Sequence, residues 1–228
     1  MSKKVPGRFM SVQPDYHKLP YAAHSTFSGT TGPSKSIISW RKFIIAVVSL
    51  LFILAGSLFL YIEEQGNFHS ITPGEAYRSA QMDRDELEYY ILKHHLKSIL
   101  NLRGKDPDSD WYIEEVKVSS EYGIVHYDMA LSASRELTAK EGQTLIEIFH
   151  FAPRPILIHC KSGADRSGLV SAMWKVIVDK NSKAEAKKQL SILYGHIPIG
   201  PTSAMDQFFE RWRPELRPYR LAAEGVIP

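Results

Sequence analysis

The stretch PILIHCKSGADRSGLVSAMWKVIV, Pro155 to Val178, sets the only cysteine of a 228-residue chain between two apolar segments of different kinds. Pro155-Ile-Leu-Ile-His159 is a short run rich in β-branched residues, the pattern of a strand covered on both faces. Gly168 to Val178 is apolar nearly all round, the pattern of a buried helix. Between them, five residues follow Cys160 and a helix is expected to begin near Ser167. A buried strand, a tight loop and a buried helix in succession belong to α/β architecture.

The flanking sequence repeats this alternation. Glu75–Gln81, Lys97–Leu102 and Ile124–Met129 read as strands. Helices are expected from Asp83, an N-cap, to about His95, from Trp111 to Tyr122 before Gly123, and from the capping box Thr138-Ala-Lys-Glu141 to about Phe149. Two more helices are expected, at about Ser182–Tyr194 and Ser203–Trp212. Strands separated by helices require crossover connections, hence a mostly parallel central sheet flanked by helices.

Ligands in such sheets bind at the carboxyl ends of the strands, where Cys160 lies. Ser162, Gly163 and Ala164 are small enough for the backbone to curl with its N–H groups inward, and the following helix adds its positive N-terminal dipole. The product is a socket for a tetrahedral dianion. Arg166 completes it with a planar guanidinium that holds two phosphoryl oxygens, where a lysine offers a point charge. The same field favours the thiolate of Cys160 over the thiol, which aims a nucleophile at phosphorus. A cysteinyl-phosphate would form and be hydrolysed by water, with the Ser167 hydroxyl donating to the departing sulfur.

A leaving oxygen needs a proton, so a carboxylic acid is expected in another loop at the same end of the sheet. Asp128, at the end of the strand Ile124–Met129, is the preferred candidate. Asp106, Asp108 and Asp110 offer a second neighbourhood, although turn and N-cap chemistry accounts for them as well. Asp165 lowers the positive charge of the loop and is expected to point outward, toward Lys161 or Arg103, or to position water.

Charge and cysteine content narrow the classes further. Residues 1–62 carry seven Lys/Arg against Asp15 alone, whereas the remainder holds 21 basic and 24 acidic residues. A body of that sign is a poor match for nucleic acid, which needs a clustered basic surface. One cysteine closes no internal disulfide and builds no cysteine-rich zinc site. The sequence shows no Cys/His cluster with zinc spacing, and no cofactor is expected.

Residues 43–62, FIIAVVSLLFILAGSLFLYI, are twenty uncharged residues, about 30 Å of helix and the depth of a bilayer core. Trp40 and Tyr61 sit where interfacial aromatics belong. The run is too long and too far from the start for a cleaved leader. Seven basic residues precede it, and Arg78 is the only one in the next twenty residues. The N-terminus is therefore expected in the cytoplasm and the body outside it, in a periplasm in a Gram-negative organism. The expected organisation is a mobile basic tail (1–42), a transmembrane anchor (43–62) and a catalytic domain (63–228, core about 70–213).

In HC-KSGAD-RS at Cys160–Ser167, an acid 32 residues upstream at Asp128, and YRSAQ at Tyr77–Gln81, the chain resembles the cysteine-dependent protein tyrosine phosphatase superfamily. NLRG at Asn101–Gly104 and YGHIP at Tyr194–Pro198 are similar to stretches of its bacterial dual-specificity-like branch. The resemblance implies Cys160 as nucleophile, Arg166 as phosphate ligand, Asp128 as general acid, substrate contacts from residues 161–165 (Lys161, Ser162, Gly163, Ala164, Asp165) and no metal. It implies a shallow pocket and phosphorylated protein substrates. Lys161 also occurs in lipid-phosphate members, but Asp165 departs from their more basic loop. Lipid or envelope-glycan phosphates are the alternative with the same chemistry. A rhodanese-like sulfurtransferase, which gives Asp128 no role, and a non-catalytic phosphate-binding module are the alternatives of another class.

Overall fold

The computed structural model describes residues 35–64 and 66–214. Helix α1 (Lys35–Glu64) contains a stretch, Ser39–Ser57, long and apolar enough to cross a membrane, with every side chain of that stretch exposed. It starts eight residues before the apolar run, so Lys35–Lys42, expected in the mobile tail, are helical. The rest of that tail, residues 1–34, lies outside the described residues.

The body is a five-stranded sheet in the order β1-β2-β5-β3-β4, formed by His69–Thr72, Ala76–Ser79, Ile156–His159, Ser98–Asn101 and Val125–Asp128. Strand β1 is antiparallel to β2, and the other pairings are parallel. The sequence reading missed β1, a four-residue strand ahead of the turn at Pro73-Gly74. Register aligns Ser79, His159, Asn101 and Asp128 in one row at the carboxyl edge.

All of β5 is buried, and its alternate residues serve two cores. Ile156, Ile158 and Cys160 face one core with Leu169, Val170 and Trp174 of α5 (Asp165–Ile177) and Leu145 and Phe149 of α4 (Ala139–Phe151). Leu157 faces the other, with Leu87 and Ile91 of α2 (Arg84–His94) and Val118 of α3 (Asp110–Glu121). Trp174 is fully buried edge-on to Phe149 at 5.2 Å, with its indole N–H on Thr72. Burial of such a side chain contributes roughly 2–3 kcal/mol and pins α5 against the sheet.

Two of the expected helix starts have reciprocal capping. Asp83 accepts from the Glu86 amide while Glu86 returns to the Asp83 amide, and Thr138 and Glu141 do the same. Helix α5 begins at Asp165, two residues earlier than expected, which brings Arg166 into its first turn. The expected helix over Ser182–Tyr194 is instead a four-residue helix, α6 (Lys183–Ala186), and two 3₁₀ turns, Lys187–Gln189 and Ile192–Tyr194. The Gln189 carbonyl accepts from Arg78 at 2.7 Å, a partner that a continuing helix would deny it. A last helix, α7, spans Ser203–Arg211.

Candidate active site

The loop after β5 is shaped from outside. The Lys161 carbonyl accepts from the Gln81 amide (3.2 Å), that of Ser162 from Asn67 Nδ2 (2.9 Å), and those of Gly163 and Ala164 from Arg78 Nη2 (2.8 and 3.0 Å). With four successive carbonyls turned outward, the peptide planes aim their N–H groups inward. Among the described residues, the amides of residues 161–166 have no backbone acceptor. Converging unpaired amides at a helix N-terminus make a socket for an anion. Gly163 makes the curl feasible, because its φ is +69° and a Cβ there would stand 2.6 Å from the Ala80 nitrogen.

Arg78 holds this arrangement and has no solvent exposure. Besides its two loop bonds, Nη1 donates to the carbonyl and side chain of Gln189, and the guanidinium lies 4.4 Å from the Tyr194 ring centre. Burial lowers its pKa to about 10, against the attraction of Cys160, Tyr194 and Asp165. It remains a cation at neutral pH, directly beneath the loop. The sequence reading used YRSAQ only as a mark of resemblance.

Cys160 is 1% exposed at the base of the socket, with its sulfur 3.5 Å from the Ser167 hydroxyl. Arg166 Nη1 donates to the carbonyls of Leu102 (3.2 Å) and Leu131 (3.3 Å), so its guanidinium is held between the ends of β3 and β4. Lys161 and Ser162 are exposed at the rim. The structure thus gathers Cys160 to Ser167 into one constellation.

Asp128 stands apart from it. Its carboxylate accepts from Asn101 Nδ2 (2.8 Å) and the Tyr112 hydroxyl (2.7 Å), and it makes no hydrogen bond to residues 159–167. Burial and this bond to Asp128 push the Tyr112 hydroxyl pKa up, so Tyr112 stays a donor. In the other neighbourhood, Asp106 accepts from the Ser109 hydroxyl ahead of α3, the turn chemistry anticipated there.

Asp165 takes neither expected partner. It accepts from His196 Nδ1 at 2.7 Å, while Nε2 of the same ring meets Asp206 of α7 at 2.7 Å. Glu115, 4% exposed on α3, is a second hub that the sequence reading missed. It meets His159 Nε2 (3.1 Å), His126 Nε2 (2.8 Å) and Gln81 Nε2 (2.7 Å). Burial alone would raise its pKa, but His159 and these bonds outweigh it and hold the carboxyl well below the usual range. Among the described residues, no cluster of three or more His, Cys, Asp or Glu side chains is disposed to hold a metal ion.

A family model described as DSP-PTPase phosphatase fused to NAD+ kinase matches residues 64–200. The chain belongs to this family. The dual specificity protein phosphatase TpbA of Pseudomonas aeruginosa (strain UCBPP-PA14) is 24% identical over 173 residues, 68% of this chain and 73% of TpbA. Among solved structures, the core catalytic domain of the PP-IP phosphatase SIW14 from S. cerevisiae, in complex with citrate, matches with a TM-score of 0.54. Its identity is 22%, over 65% of this chain and 86% of that one. A cysteine-to-serine variant of P. aeruginosa TpbA in complex with pTyr matches with a TM-score of 0.52 and 20% identity, over 64% and 84% of the two chains. These structural likenesses concern the fold. With the family established, the protein is a cysteine-dependent phosphatase of the dual-specificity type.

In this phosphatase the link between Asp165 and α7 depends on pH. Burial lowers the pKa of His196, but the bonds to Asp165 and Asp206 outweigh it and raise the pKa above the usual 6.5. An imidazolium donates to both carboxylates, whereas a neutral ring has one N–H for two acceptors. The stabilisation is therefore full below pH 6.5 and is lost as pH rises through the raised value. The midpoint of thermal unfolding of His196→Gln is expected several degrees below that of the parent at pH 6, a gap that narrows toward pH 9. A gap that is constant with pH would show that His196 acts by packing alone.

Proposed function

We propose that this phosphatase hydrolyses phosphomonoesters of phosphorylated proteins through a cysteinyl-phosphate, while anchored to a membrane by α1. What carries the reading is the socket itself: four loop carbonyls drawn outward, amides left inward, and the Cys160 sulfur at its base. The thiolate attacks phosphorus, an S–P bond forms and the bond to the leaving oxygen breaks. Loop amides and Arg166 take the charge on the equatorial oxygens. Water then attacks phosphorus, the S–P bond breaks, and the Ser167 hydroxyl, 3.5 Å from the sulfur, stabilises the returning thiolate. TpbA, a dual specificity protein phosphatase with a structure in complex with pTyr, supports protein substrates. The second reading, lipid or envelope-glycan phosphates, is favoured by the exposed apolar stretch of α1, which would hold the site near a bilayer.

Assay of the full chain in detergent against phosphotyrosine, phosphoserine and phosphothreonine peptides and against lipid phosphates separates the two. Peptide turnover without lipid turnover supports the first reading, and the reverse supports the second. The proposed orientation, body outside the cytoplasm, requires that a reporter active only outside the cytoplasm be active when fused after Pro228.

The leaving-group proton is assigned to Asp128, which stands at the end of β4 and whose carboxylate would have to leave Asn101 and Tyr112 to deliver it. A general acid matters most for a poor leaving group. Asp128→Asn is expected to lower kcat on phenyl phosphate about 10²-fold or more and to cost far less on 4-nitrophenyl phosphate, whose phenolate leaves unaided. Equal losses on both substrates would make Asp128 a clamp for Asn101 and Tyr112 and nothing more.

A further inference from the structure

Arg103 has no place in the scheme above, yet its surroundings fix it at the mouth of the socket. The Leu102 amide donates to the His159 carbonyl at 2.9 Å, and the Leu102 carbonyl receives Arg166 Nη1. The next residue's side chain runs from the end of β3 to Gln81 beyond β2, where Nη1 meets Gln81 Oε1 at 3.0 Å. Strand β5 lies between β3 and β2, and the Gln81 amide is bonded to the Lys161 carbonyl, so Arg103 reaches across the strand end that carries Cys160. Its guanidinium carbon lies 3.4 Å from the centre of the Trp111 ring.

The orientation is over-determined. Glu115, held ionised, only accepts, so Gln81 must turn its NH₂ group to Glu115 and its oxygen to Arg103. The stacked ring fixes the plane of the guanidinium. Among the described residues Arg103 forms no ion pair, and its Nε and Nη2 groups have no hydrogen-bond partner, so donors remain open beside the socket. Burial, and after it repulsion from Arg166, lowers the Arg103 pKa against the pull of Glu115, Asp106 and Cys160, which places Arg103 within electrostatic reach of both Arg166 and Cys160. An anion relieves that repulsion, and the oxygens of the reacting phosphate are already matched by the loop amides and Arg166.

We propose that Arg103, aligned by Gln81 and Trp111, binds a second anionic group of the substrate, so that the preferred phosphomonoester carries a carboxylate or another phosphate beside the scissile one. The proposal rests on the phosphatase reading of the Cys160 socket. The test compares kcat/KM for phenyl phosphate, 3-carboxyphenyl phosphate and 1,3-phenylene bisphosphate in the full-length protein. Charge-assisted bonds to a guanidinium are expected to favour at least one doubly anionic substrate about tenfold. In Arg103→Gln that preference falls to about one, whatever loss is common to all three substrates, and Arg103→Lys restores part of it. Gln81→Leu, which keeps the charge but removes its anchor, lowers the preference partway and serves where Arg103→Gln unfolds. The substrate with the larger Arg103-dependent preference identifies the anion as carboxylate or phosphate. A preference unchanged in Arg103→Gln, or equal losses on all three substrates, overturns the subsite while leaving the phosphatase reading intact. Failure of the parent protein to hydrolyse any of the three removes both.

Discussion

Cys160→Ser is expected to lower kcat by about 10⁴-fold or more, the scale on which removal of a covalent nucleophile acts in enzymes that depend on one. The loop is held by Asn67, Arg78 and Gln81, none of which touches the Cys160 side chain by a hydrogen bond. The socket should therefore persist in the variant and bind a phosphopeptide with affinity within a few-fold of the parent's KM. Rapid quenching of the parent with 4-nitrophenyl phosphate should reveal a phosphorylated protein by mass, with the label on Cys160 and absent from Cys160→Ser. Substantial turnover by the serine variant would remove the covalent scheme.

Arg78→Met should cost stability and catalysis together. The methionine approximates the apolar stem but leaves the carbonyls of Gly163, Ala164 and Gln189 without their buried donor. Each buried carbonyl that finds no new partner costs about 1–3 kcal/mol, measurable as a fall in the denaturant midpoint. The freed loop carbonyls can turn inward, where they would repel both thiolate and phosphate, so kcat/KM should fall by orders of magnitude even in the fraction that remains folded. Arg78→Lys separates the two effects: it keeps a cation but cannot span both pairs of acceptors. A lysine variant with parental activity would mean that charge alone, and not the outward turn of the carbonyls, is what Arg78 supplies.

Much of the fold is written locally and was legible for that reason. The capping boxes at Asp83 and Thr138 need only residues three positions apart, and β5 and the body of α5 declare themselves by their mostly apolar character. Legibility fails where one distant contact decides. The helix expected over Ser182–Tyr194 yields to the grip of Arg78 on Gln189, 111 residues away in the chain. Asp165 was given the wrong neighbours because His196 lies 31 residues further on. Cys160, Arg166 and Ser167 could be placed from the local pattern of buried strand, small-residue loop and buried helix, since they share one turn of loop and helix. Glu115 and Gln81 could not, because an acid within an amphipathic helix looks solvated until the histidines it meets are known.

The origin of the loop's partners bears on how the enzyme fails. Asn67, Arg78 and Gln81, which draw the carbonyls of residues 161–164 outward, precede the loop by some eighty to ninety-five positions and come from the opening strands and their flanks. A catalytic loop braced by its own neighbours can survive the melting of a remote hairpin, whereas this one loses its shape as soon as β2 parts from β5. Heat or denaturant should therefore extinguish activity and tertiary structure in one cooperative step, with no compact and inactive species between them.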